Sequence, residues 1–156
     1  MGKYWPQTGN SHNWDGIFIH NGIWYFVEAK AHLEEANQKC SAKSEKSIET
    51  IINAFQDTCG ESLAEEWQKS NCYQLANRLA FINFCNKVGI DAKLLYINFV
   101  NGYDVNGKKN VDNFEKWKRK WQEEYNNLQI SEELKKSIYN VYIDCHMPQE
   151  PYKLPK

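Results

Sequence analysis

The dipeptide Asn21-Gly22 separates two apolar, aromatic-rich runs, GIFIH and IWYFV. Asn-Gly in that setting is the strongest short-range hairpin signal, a two-residue type I′ turn. It predicts strands over 15–20 and 23–31. With such a turn His20 faces Ile23, and residues whose numbers sum to 43 face each other. Asp15 then faces Glu28 as a non-hydrogen-bonded pair, with Cα atoms ~4.5 Å apart. Lys30 follows on the same face, roughly 6.7 Å along the strand. Two opposed carboxylates repel unless a positive charge sits between them. Lys30 is one candidate for that charge, and a hard divalent cation is another.

Length and composition limit what surrounds this hairpin. The 156 residues suit one domain with a real core. Apolar residues make up 42% and aromatics 14%, which excludes a disordered chain. A net charge of -1 gives no support to a broad nucleic-acid-binding face, while leaving room for a local basic groove. Cys40, Cys59, Cys72, Cys85 and Cys145 form no C-x-x-C pair, so buried reduced thiols are expected rather than zinc ligands. The segment MGKYWPQTGN has no apolar stretch of a signal peptide, and Pro6 breaks the myristoylation pattern. No apolar run approaches the ~20 residues that span a bilayer. A cytoplasmic location with no membrane partner is therefore expected.

Periodicity predicts the remaining elements. Ile48, Ile51, Ile52, Phe55 and Cys59 mark a helix over 44–59, with Gly60 placed to end it. A short helix is expected over 62–68, and a longer one over 71–88, stopped at Gly89. The run 92–100 is apolar almost throughout and reads as a strand covered on both faces. NGYDVNGKKN (101–110) is a loop. Asp112 is expected to cap the next helix, with Glu115 completing a capping box. Phe114, Trp117, Trp121 and Tyr125 form that helix's stripe, Ser131 opens another, and 138–145 alternates as a strand. The Pro-rich tail after Cys145 should be irregular. The order β-β-α-α-α-β-α-α-β implies an α/β mixed sheet with helices packed over it, in one domain spanning 1–156.

The pattern Asp15-x12-Glu28-x-Lys30, with the segments WDGI (14–17), VEAKA (27–31) and YQLANRLA (73–80), resembles the PD-(D/E)xK nuclease superfamily and its restriction-endonuclease-like fold. It is closest to small bacterial members that share these three segments in order. The resemblance covers roughly residues 13–100 and implies a central β-hairpin. It further implies that Asp15, Glu28 and the Ala29 carbonyl hold Mg²⁺ or Mn²⁺. Lys30 would position water and offset charge building on the phosphate. Such a metal acts as a Lewis acid and lowers the pKa of its bound water, and a fixed cation stabilises the transition state. Two features depart from the pattern: Trp14 replaces the usual Pro, and no Asp or Glu precedes Asp15.

Other candidates carry two readings each. Gln74 and Arg78 are i, i+4 neighbours, with Asn77 beside them on a polar helix face. One reading sets them over the hairpin, with Gln74 orienting water and Arg78 and Asn77 meeting phosphate. The other makes them a solvated face or a buried, hydrogen-bonded cap on the sheet. His32 continues the Glu28–Lys30 alternation and either touches substrate or is a polar strand end. Lys116, Lys118, Arg119 and Lys120 beside Trp117 and Trp121 could track a nucleic-acid backbone, yet four-residue spacing assigns the tryptophans to the core. His20 reads as an exposed turn residue, and His12 has no nameable partner. The leading expectation is a metal-dependent nuclease acting on DNA or RNA. The alternative is a catalytically weak or inactive member that binds nucleic acid or protein. A third is an interaction module with incidental hairpin charges. Tyr4 and Trp5 read as exposed aromatics that could mediate homodimerisation, though nothing in the sequence decides it.

Overall fold

The computed structural model describes residues 4–6, 13–104 and 106–146. The readings of His12 and of the tail from Met147 onward lie outside the described residues. The elements run β1 (Gly16–His20), β2 (Ile23–Lys30), a 3₁₀ turn (Leu33–Ala36), α1 (Glu45–Cys59), α2 (Glu61–Lys69), α3 (Tyr73–Lys87), β3 (Ala92–Val100), α4 (Phe114–Asn127), α5 (Glu132–Lys135) and β4 (Ile138–Asp144). The sequence order is thus recovered, with the 3₁₀ turn added. Among the described residues no helix is long and apolar enough to cross a membrane.

The four strands form one mixed sheet in the order β1-β2-β3-β4. β1 and β2 are antiparallel, while β2–β3 and β3–β4 are parallel. The hairpin therefore supplies one interior strand, β2, and one edge strand, β1. Asn21 (φ 50°) and Gly22 (φ 79°) are both left-handed, as a type I′ turn requires. The register runs from Gly16↔Val27 to His20↔Ile23, as the turn predicts.

The helices that pack on the sheet do so from one side. Phe81 of α3 meets Phe26 of β2 at 5.0 Å between rings, and Trp121 of α4 stacks on Tyr96 of β3 at 4.1 Å. α1 and α2 pack on α3, and Trp67 donates its indole N–H to the Leu128 carbonyl at 2.7 Å. Asn98 explains the polar break in β3. It is fully buried, accepts from Trp121 at 2.9 Å, and donates to the Asn140 side chain and Val141 carbonyl at 3.2 Å. A buried amide with these partners fixes α4 against β3 and β4.

Three expectations change. First, among the described residues helices cover β3 on one face only. Its even-numbered residues are buried and its odd-numbered ones half-buried. Leu95, Ile97 and Phe99 lie with Tyr25 and Val27 of β2 and Tyr139, Val141 and Ile143 of β4 on a face that no described helix covers. An apolar run satisfies either arrangement, so pattern alone could not separate them. Second, Asn113, not Asp112, caps α4 by accepting from Lys116 N–H at 3.0 Å. Asp112 pairs instead with the Lys116 ammonium at 2.9 Å, which lowers its pKa. Third, Tyr4 and Trp5 turn inward. Tyr4 stacks on Phe84 and donates to the Ala80 carbonyl at 2.6 Å, and Trp5 packs on Phe55. Burial pushes the Tyr4 hydroxyl up to about 12. The five cysteines are free thiols, of which only Cys72 and Cys85 are buried.

A Cβ added at Gly22 would meet no atom within 4 Å, so a side chain there encounters only backbone strain. Gly22→Ala should lower stability by about 1–2 kcal/mol in denaturant unfolding. No change would mean that the turn does not hold the hairpin register.

Candidate active site

The hairpin delivers its charged residues to the end of β2. Asp15 lies just before β1, where its N–H donates to the Val27 carbonyl at 3.1 Å. Its carboxylate Oδ2 accepts the Ala29 N–H at 2.7 Å. Asp15 itself is exposed. Glu28 points to the helix side and is only 3% exposed. A lone carboxylate at that depth would be costly, and here it is compensated twice. Lys30 Nζ donates to Oε2 at 3.2 Å, and Arg78 Nε donates to Oε1 at 2.6 Å. Lys30 and Arg78 are buried as well.

Arg78 ties three elements together. α3 carries it over β2. Its Nη2 donates to the Asn13 carbonyl at 2.8 Å, and its guanidinium lies 4.4 Å from the centroid of the Trp14 ring. A planar cation suits this combined pairing and stacking. Trp14 thus packs under Arg78. On β3, Tyr96 pairs in register with Glu28. Burial, and next the Glu28 carboxylate, push the Tyr96 hydroxyl well above its ordinary value.

Asp15, Glu28, Ala29, Lys30 and Arg78 therefore form one chain of contacts. Gln74 and Asn77 stand next to it, not in it. They line a cleft of about 580 Å³ between α3 and the segment leading into α1, with Arg78, Lys39, Lys43 and Ser44 also on its wall. Among the described residues no Asp or Glu lines that cleft. The Asn77 Oδ1 atom is buried and has no hydrogen-bond partner among the described residues. His32 sits elsewhere. The strand ends at Lys30, so its alternation no longer applies, and His32 precedes the 3₁₀ turn. Its Nε2 lies 3.2 Å from Asp104 Oδ2, on the loop after β3. Backbone N–H groups, first that of Lys108, lower the Asp104 pKa, and His32 adds to this.

The basic run of α4 is a solvated face. Trp117 and Trp121 are buried, while Lys116, Lys118 and Lys120 pair with Asp112, Glu115 and Glu124. Lys108 pairs with Glu34. The sequence reading missed Arg78 as the partner of Glu28, Asp104 as the partner of His32, and Lys39 and Lys43 on the cleft. The first two contacts join residues 50 and 72 apart in the chain, and no local spacing signals them.

The oxygen donors implied for Mg²⁺ or Mn²⁺ are two carboxylates and one carbonyl, the hard ligands such ions take, with water completing the shell. Asp15 and Glu28 fit that chemistry. Each Glu28 oxygen already accepts from one cationic N–H, so a metal there would take a remaining lone pair beside Lys30 and Arg78. Among the described residues no cluster of three or more His, Cys, Asp or Glu side chains is placed to hold a metal ion. No family model, curated protein or solved structure matches the chain.

Glu28→Ala leaves two buried cations without their anion. It should cost about 3–5 kcal/mol in denaturant unfolding, and Glu28→Ala with Arg78→Met should recover part of that loss. Additive losses would show that the two side chains are not coupled.

Proposed function

We propose that the chain is a metal-dependent nuclease acting on DNA or RNA, with the end of the hairpin as its reactive centre. The observation that carries this reading is the register. The paired strands run from Gly16↔Val27, and just beyond that pair Asp15 accepts the Ala29 N–H while Lys30 donates to the Glu28 carboxylate. Asp15 and Glu28 would hold Mg²⁺ or Mn²⁺ with the Ala29 carbonyl. When bound, the metal supplies Lewis acidity toward the phosphate and a more acidic water. Lys30 holds a fixed positive charge beside the carboxylate, where it counters charge developing on phosphate. The cleft supports the same reading, because Lys39 and Lys43 give it two cations and no acid lines it among the described residues. Such a groove attracts a phosphate backbone although the net charge is -1. Gln74 and Asn77 line its wall and would donate to a bound strand.

The Arg78–Glu28 contact favours a second reading, a catalytically inactive nucleic-acid-binding member. Asp15 and Glu28 are balanced by Lys30 and Arg78, so the group as a whole offers no net negative charge to attract a cation.

The two readings separate in solution. The nuclease reading expects Mn²⁺-dependent cleavage of DNA or RNA that Asp15→Ala abolishes. Lys30→Ala should also abolish cleavage while Mn²⁺ binding, followed by calorimetry, survives. Retention of nucleic acid that ignores chelator, with no cleavage in Mn²⁺, rejects the nuclease reading and keeps the second. Under either reading, Lys39→Glu with Lys43→Glu should weaken nucleic-acid retention by about tenfold or more, measured at fixed salt. Unchanged retention removes the cleft from both.

A further inference from the structure

Depth and shape separate the forms of nucleic acid that the candidate site can take. Glu28 and Lys30 are 3% and 6% exposed, while Asp15 is at the surface. A phosphate meets Lys30 only by entering below the surface. The adjoining cleft is concave too, and its volume of about 580 Å³ is that of a site enclosing a small ligand. It has room for about one or two nucleotides. Its wall combines two kinds of side chain. Lys39 and Lys43 supply positive charge, and Trp5 and Tyr73 supply aromatic surface. Both rings pack on Phe55, at 6.3 and 6.0 Å between centroids, and both are half-buried. The core thus holds one part of each ring, and another part borders the cleft.

We infer, resting on the nuclease reading above, that the substrate is single-stranded nucleic acid. Trp5 and Tyr73 stack on its bases, and Lys39 and Lys43 pair with its phosphates. Cations beside aromatic rings are the combination that single-strand sites use, because unpaired bases expose their faces. In a duplex those faces lie against one another, out of reach of Trp5 and Tyr73. A duplex is also the wrong shape. It carries its phosphates on a stiff rod with a persistence length of about 50 nm. Proteins read it by setting a convex helix or ribbon into a groove about 12 Å wide. A concave cleft leading to buried Glu28 and Lys30 admits no such rod. A flexible single strand can follow the cleft to Arg78, which lines it and reaches Glu28. The net charge of -1 agrees with this choice. A duplex needs a broad basic face, whereas a short strand needs only a local one. Single strands of DNA and RNA share this chemistry.

Fluorescence anisotropy of the full chain in chelator tests this, with labelled oligonucleotides of about 12 nucleotides. The single strand, as DNA, RNA or both, should bind about tenfold or more tighter than a duplex of the same sequence. An abasic single strand of equal length keeps the phosphates and lacks the bases. It should bind about tenfold or more weaker than the ordinary strand. Trp5→Ala and, as a second variant, Tyr73→Leu should narrow that gap, with circular dichroism matching the wild type as the check on folding. The two wild-type comparisons decide the matter even where a variant does not fold. A duplex that binds as tightly as the single strand overturns the inference. So does an abasic strand that binds as tightly as the ordinary one, or a chain that binds no oligonucleotide. Folded Trp5→Ala and Tyr73→Leu variants that both keep the whole gap overturn it as well. The nuclease reading stands or falls separately, on Mn²⁺-dependent cleavage.

Discussion

One buried carboxylate organises this molecule. Glu28 lies at 3% exposure, where an uncompensated anion would be intolerable. Its two cationic partners come from different places. Lys30 shares its strand, and Arg78 comes from the middle of α3. The pairing fixes where α3 lies across the sheet. Through Asn13 and Trp14, Arg78 then anchors the segment that leads into β1. A strand, a helix and the chain before the hairpin all meet at one charge. The Phe26–Phe81 contact next to it supplies apolar area but no unique register. The ion pairs supply the register.

That same arrangement sets the chemistry. Asp15 is exposed and Glu28 is buried, one wet and one dry. Lys30 and Arg78 balance them. A metal reaching Glu28 would meet two cations already there. Under the nuclease reading a phosphate entering the cleft would meet Arg78 beside Lys39 and Lys43. The guanidinium fork serves Glu28 and the Asn13 carbonyl together, which a lysine ammonium in its place could not do with the same geometry.

Much of this is legible in the sequence because it depends on short-range geometry. Asn21-Gly22 dictates the turn, and the turn dictates which residues oppose each other. Lys30 follows from strand alternation. The stripes of α1 and α4 mark the core, and Gly60 and Gly89 mark helix ends. What escapes depends on long-range packing. Arg78 reads equally well as solvated or as buried until α3 is placed on β2. Its burial satisfies the reading of a hydrogen-bonded cap on the sheet. His32 is misplaced when a strand period is extended past the strand's end. β3 reads as covered on both faces because Leu95, Ile97 and Phe99 are as apolar as their buried neighbours. Composition does not say whether a second apolar face meets a helix, another chain or water.

Crystals grown with Mn²⁺ and measured for anomalous scattering give the most direct test of metal binding at the hairpin. The expected result is a peak bonded to both the Asp15 and Glu28 carboxylates. A map in which Glu28 still joins Arg78 and Lys30, with no anomalous peak beside Asp15, would contradict it.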